Sequence, residues 1–229
     1  MTNGTGSAPQ DARFSRRQLF QFSGLAVAAV GSSQLLAACG SDSDGGGGGK
    51  AGGILIHGAT GGSGKDTLDA HAPVTNPDIA RVSNLFEPLL FWDSDYALAP
   101  ALAEQVVPSA DALTWTITLR EGVTFHNGKD VTAEDVLFSI KRVADPKAPT
   151  SAGVALAPII DMDGTKKVDE KTVVIALKTP YAVLDMLLAE YTFGIVPADY
   201  DPKNPVGTGP FKYQSFTPGK DSVFTKYAD

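Results

Sequence analysis

ADALTWTITLREGVTFHNGKDVTAEDVLFSIKR, residues 110–142, reads as a strand, a turn and a helix in succession. Trp115, Ile117 and Leu119 alternate with Thr114, Thr116, Thr118 and Arg120, the period-two pattern of a strand with one wet face. Glu121-Gly122 and Asn127-Gly128 are turns. Thr132 and Asp135 then form a weak capping box, and Val136, Ile140 and Val143 make a buried stripe over 133–144. Lys141 and Arg142 suit the last turn of that helix, with Asp145-Pro146 beyond it.

Outward from this stretch, strands and helices keep alternating. Gly53 to His57 is an apolar run suited to a buried first strand. Asn76 reads as the cap of a helix through Ile79, Val82, Leu85 and Phe86 that Pro88 stops. Residues 171–178 predict a strand, and 180–190 a helix capped by Thr179 and packed through Val183, Leu184, Leu187 and Leu188. Phe193 to Val196 predicts a short strand, and 211–215 with 221–227 the arms of a hairpin. The class is α/β, or α+β with a mixed sheet, and 53–229 is one lobe.

The first 52 residues differ in kind. Ser15, the Arg16-Arg17 pair and Leu19-Phe20 precede an uncharged run to Gly40, the pattern of a twin-arginine export signal over residues 1–38. Its apolar part is too short and polar to span a bilayer of ~30 Å. The run ends Leu36-Ala37-Ala38-Cys39, which resembles a lipobox, with Cys39 as the lipidation site. Residues 39–52, rich in Gly, Ser and Asp, form a flexible tether.

Composition closes several classes of function. The chain has 229 residues and a net charge of -7, and after residue 38 it keeps 16 bases against 25 acids. A nucleic-acid partner is excluded by that balance. One cysteine rules out an intrachain disulfide, a cysteine zinc cage and a CxxC pair. Ala59 to Asp66 approaches a phosphate-binding loop, but Asp66 stands where a magnesium-binding hydroxyl belongs, so a plain Gly-rich loop is the better reading. Ser63 misses a nucleophile elbow by its last glycine. Asp161-Met162-Asp163-Gly164 reads as a hairpin turn rather than a calcium loop, since Lys166 takes the position that needs Gly. The three histidines, His57, His71 and His126, read as surface or structural residues. No cofactor or metal is called for.

Residues 110–142, with Asn84 to Leu90, Leu98 to Glu104 and Val206 to Phe211, closely resemble family 5 extracellular solute-binding proteins, the peptide, nickel and oligosaccharide receptors of ATP-binding-cassette importers. The resemblance implies the first lobe of a type II periplasmic-binding-protein-like clamp, truncated, with the second lobe expected after Asp229. It implies a non-catalytic receptor that closes on its solute, a short peptide above all, and delivers it to permease subunits from the outer face of the cell membrane. Trp115, Ile117, Leu119 and Phe125 are scaffold. Ligand contacts are expected from loops at strand ends: Thr60 and Gly61, then Tyr191, Thr192 and Phe193. A secreted hydrolase and a non-binding surface lipoprotein are the alternatives. The solute's identity is not written in these residues.

Overall fold

Four antiparallel strands form the central layer: β3 (Ala103–Pro108), β4 (Thr114–Leu119), β5 (Ile160–Lys167) and β6 (Thr172–Leu177), in the order β3-β4-β6-β5. In β4 and β6 the inward residues Trp115, Ile117, Leu119, Val173, Ile175 and Leu177 are buried, while Thr116 stays exposed, as the alternation requires. The computed structural model describes residues 52–147 and 150–227, and every described helix and strand belongs to one compact unit, Leu55–Asp229.

Helix α1 (Asn76–Leu85) comes first among the described elements, then the hairpin β1 (Leu90–Trp92) with β2 (Leu98–Pro100). Helix α2 (Ala133–Val143) lies across β5 and β6 and buries Val136, Ile140 and Val143. The Asp135 carboxylate accepts the backbone N–H of Thr132, so the predicted capping box closes. A short helix α3 (Ser151–Leu156) follows. Helix α4 (Leu184–Leu188) leads into a 3₁₀ turn at Tyr191–Phe193. The chain ends in a separate ribbon, β7 (Phe211–Thr217) with β8 (Asp221–Lys226).

Two apolar clusters result. The larger lies under the central layer and contains Trp115, Ile117, Phe125, Ile140, Ile175, Leu184 and Phe193. The smaller holds Leu68, Ala70, Val82, Leu85, Phe86 and Val196, with Tyr200, Tyr213, Phe216 and Phe224 against it.

Several expectations change. The class is α+β, but every pairing among the described residues is antiparallel, not mixed. Residues 53–57 form no strand: Leu55 and Ile56 are 90% and 88% exposed, and no described backbone pairs with them. An apolar run needs a neighbouring strand before it can become one. The cap of α1 is Thr75, whose hydroxyl accepts from Asp78 N–H while the Asp78 carboxylate takes the Thr75 N–H, so the signal sits one residue earlier than Asn76. The helix expected over 180–190 shrinks to Leu184–Leu188, capped at Val183 rather than Thr179. Phe193 to Val196 is a 3₁₀ end and an irregular segment, not a strand. Asp161–Gly164 is no hairpin turn either. It is a bulge within β5, and the reversal comes at 168–171, where Val168 N–H bonds Thr172 O.

Candidate functional site

The Gly-rich loop of residues 59–66 is anchored, not open. Asp66 is turned inward: Oδ1 accepts Ser63 N–H at 2.7 Å and Oδ2 accepts Arg81 Nη1 at 3.1 Å. The Ser63 N–H and then Arg81 hold its carboxyl below the usual carboxylate range, against the opposing cost of burial. The same Arg81 nitrogen reaches Asp78 Oδ1 at 3.0 Å, while Nε donates to Ser222 Oγ and the guanidinium lies 5.0 Å over the Phe216 ring. Asp78 also accepts the N–H groups of Thr67, Val74 and Thr75. The acid that spoils the phosphate-loop motif is therefore a tie between loop, α1 and the β7–β8 ribbon. The N–H groups of Ser63, Lys65 and Asp66 are already bonded inside the loop, which leaves them no part in cradling a phosphate.

Thr60 and Gly61 precede this anchor and are exposed, and Gly61 takes φ +92°, which only glycine holds without strain. The other expected loop is the 3₁₀ turn. Tyr191 is 39% exposed there, Thr192 is buried, and Phe193 packs inside the larger cluster, so its side chain is not presented to solvent. No hydrogen bond or ring contact joins the Thr60 loop to the Tyr191 turn among the described residues. The two are separate candidate walls.

The segment after the turn is tightly held. Gly194 O accepts from His71 Nε2 at 2.8 Å, Ile195 N–H donates to Glu87 O at 2.9 Å, and the Ser139 hydroxyl accepts Val196 N–H at 3.0 Å. A Cβ at Gly194 would stand 2.7 Å from that of Phe86, so only glycine fits. His71 is wholly buried. Its Nδ1 accepts from Arg142 Nη1 at 2.7 Å, and Arg142 Nη2 is 2.5 Å from Asp69 Oδ2. The Arg142 guanidinium also lies 5.2 Å over the Tyr200 ring, whose hydroxyl accepts Ala70 N–H. Burial first, then the Arg142 charge, pushes the His71 pKa down to about 4, against the Gly194 carbonyl and Asp69.

His126 repeats this arrangement on the next loop. Its Nε2 bonds Gly209 O at 2.8 Å, its Nδ1 accepts Gly207 N–H at 3.3 Å, and its ring meets Tyr227 edge-on at 4.8 Å. Burial lowers its pKa, opposed by the Gly209 carbonyl. Gly207 and Gly209 press on the backbone of Asn84 and Leu85 so closely that a Cβ at either would collide with a carbonyl oxygen. Burial raises the Glu87 pKa there, opposed first by the neighbouring Thr208 hydroxyl and then by the Arg120 charge. His57 is exposed, so His71 and His126 are structural and His57 is a surface residue.

Sequence reading missed Asp69, His71, Arg142 and Tyr200 as a group. Asp69 and His71 are neighbours, but Arg142 lies 73 and 71 positions from them, a separation that no local spacing bridges. Two shallow grooves, of about 170 and 340 Å³, lie beside Pro146 and Ala157, and none of the five expected contact residues lines either. No cluster of three metal-ligating side chains occurs among the described residues, and no described helix is long and apolar enough to cross a membrane.

These loops stand on a scaffold that is shared widely. The profile of the bacterial extracellular solute-binding proteins, family 5, matches residues 97–229. The glutathione-binding protein GsiB of Escherichia coli is 31% identical over 162 residues, covering 68% of this chain and 31% of that protein. Among solved structures, the binding protein AgaA of A. tumefacien R10, in complex with agropinic acid, superposes with a TM-score of 0.65 at 33% identity, over 72% of this chain and 34% of that one. DppA of Helicobacter pylori, in complex with the peptide STSA, gives 0.63 at 26%, over 74% and 38%. The chain thus spans about a third of the length of these relatives, and their fold is that of type II periplasmic binding proteins. On the match over residues 97–229 and the common fold, the chain belongs to the family 5 bacterial extracellular solute-binding proteins.

Proposed function

We propose that the chain supplies one wall of a solute receptor that feeds an ATP-binding-cassette importer, and that its solute is a short peptide. The observation that carries this reading is the family match across residues 97–229 together with the peptide-bound relative of the same fold. The receptor binds without making or breaking a covalent bond. Solute sits between two lobes, and closure is stabilised by contacts that only the closed form makes. In this reading Thr60, Gly61 and Tyr191 face the solute from exposed positions, and the buried Thr192 and Phe193 act from below as support. The Cys39 lipid holds the receptor on the outer face of the membrane after the Arg16-Arg17 signal has exported it. Those three residues, like the signal (1–38) and the tether (39–52, Gly52 aside), lie outside the described residues.

A cleft of two lobes buries its ligand from both sides, and one wall supplies about half of that contact while still ordering the solute. The 229-residue chain should therefore bind no di- to pentapeptide at micromolar concentration. The same chain joined to the remaining length of the Helicobacter peptide-binding relative should bind. Calorimetric titration of both decides: micromolar binding by the short chain places the whole site within it, and silence from both removes the peptide reading.

A further inference from the structure

The His71 ring has only one way to satisfy its surroundings. Arg142 always donates, so Nδ1 must be the acceptor, and the ring proton must sit on Nε2, where it reaches Gly194 O. Every group around the ring is placed by this choice. On the same segment Asp69 accepts His71 N–H through Oδ1 and holds Arg142 through Oδ2. From α2 comes the Arg142 cation, and from the segment after the turn come the Tyr200 ring and Asp201 beside it. A second ring proton would sit on Nδ1 and point at a guanidinium that Asp69 keeps in place. Two donors and two cations would then face each other against a ring that is wholly buried, and the ring must leave with its bond to Gly194.

We propose that His71 is the positioning residue of the Tyr191–Gly194 turn and makes that turn releasable by acid: the neutral imidazole docks Gly194, and the imidazolium, facing Arg142, lets it go. The consequence for solute, release from the receptor at low pH, rests on the receptor reading above; the latch itself belongs to this chain alone. His71 is suited to the role because Gly194 directly follows Phe193, the buried end of the turn that exposes Tyr191. Moving the Gly194 carbonyl moves the turn.

The sign follows from linkage. The docked ring takes its proton only near pH 4, whereas a released ring takes it near 6.5, so docking is fully present above 6.5 and is lost as pH falls toward 4. That difference makes the opening constant of the turn rise about a hundredfold between pH 7.5 and pH 4.

Amide hydrogen exchange on the 229-residue chain, corrected for the intrinsic rate, tests this without any solute. Protection of residues 191–196 should fall by about that factor between pH 7.5 and 4, while the amides of β4 and β6 keep theirs. Arg142→Gln removes the facing cation and should move the midpoint up toward 6.5. Asp69→Asn removes the anion that favours the imidazolium and should move it down. His71→Gln offers a donor and an acceptor that do not titrate, and should leave the turn flat with pH. If residues 191–196 of the wild type stay flat, or open only together with β4 and β6, the latch is overturned. An unmoved midpoint in Arg142→Gln overturns it as well. Should His71→Gln fail to fold, the opposite shifts of the two charge variants still decide. Since no solute enters the measurement, failure of the latch and failure of the receptor reading stay separate.

Discussion

The central layer and the region around α1 are held by different physics. Under the layer, Trp115, Ile117, Ile140, Ile175 and Leu184 are buried and apolar, so its stability comes from area removed from water and carries no charge to titrate. Around α1 the apolar cluster has six buried members among the described residues, and ionic ties make up the difference: Asp66, Asp78 and Arg81 on one side, Asp69, His71 and Arg142 on the other. The first region tolerates acid and fails when volume is lost. The second tolerates little change of charge.

The largest effect should come from breaking that second region at its centre. Arg81 is 10% exposed and serves two carboxylates whose side chains are 1% exposed, so Arg81→Met leaves buried charge uncompensated. Removing one partner of a buried pair costs about 3–5 kcal/mol. Urea unfolding of the variant should show a loss of that size, and a loss below about 1 kcal/mol would mean that water reaches the triad and that the two regions differ less than their burial implies.

Next comes the layer itself. Ile117 is fully buried between β3 and β6, and Ile117→Ala should cost about 2–5 kcal/mol through lost contact and cavity. The comparison is sharpened by measuring this loss at pH 7 and again at pH 4.5. It should be the same at both, because Ile117 belongs to an apolar cluster, whereas exchange at the Tyr191 turn should already have changed.

How much of each region the sequence shows follows from the same difference. β4, β6 and α2 are legible because their periodicity is local: alternate residues face one core, and every third or fourth residue of α2 faces it too. Apart from the i,i+3 pair Asp78–Arg81 and the Asp69–His71 bond, the buried ties are not local. His71 alone carries no mark that Arg142 and Gly194 will surround it, and Asp66 looks like a flaw in a phosphate loop until Arg81 is seen beside it. The misread first strand teaches the converse. Residues 53–57 have the right composition, but strand formation depends on a partner that no periodicity inside the run can supply. For the candidate contacts, the strands expected beside them at 53–57 and 193–196 do not form; Tyr191, Thr60 and Gly61 are exposed, while Thr192 and Phe193 turn inward.

A smaller effect is expected at the start of α1. Thr75 and Asp78 exchange bonds with each other's backbone N–H, and Thr75→Ala removes the half that the hydroxyl supplies. A cap of this kind is worth about 1 kcal/mol. Asp78 keeps its bonds to Thr67, Val74 and Arg81, so the loss should stay near that figure in urea unfolding. A loss as large as that of Arg81→Met would show that the cap also positions the ion triad.

The smallest effect should come from an ion pair as short as any among the described residues. Lys129 Nζ lies 2.5 Å from Asp199 Oδ2, and the pair joins the turn before α2 to the segment that carries Tyr200. Its side chains are 59% and 67% exposed, however, so the attraction acts through water and is screened by salt, while two long side chains lose freedom to make it. Lys129→Ala should leave the thermal midpoint unchanged at low and at high salt. The nearby bonds from Asp135 to Ala198 N–H and from Ser139 to Val196 already tie the same segment to α2 from within the fold. A midpoint that drops at low salt and recovers at high salt in the wild-type comparison would mean that the exposed pair, and not these buried bonds, sets where the segment lies. Charge would then govern the surface of this region as well as its interior.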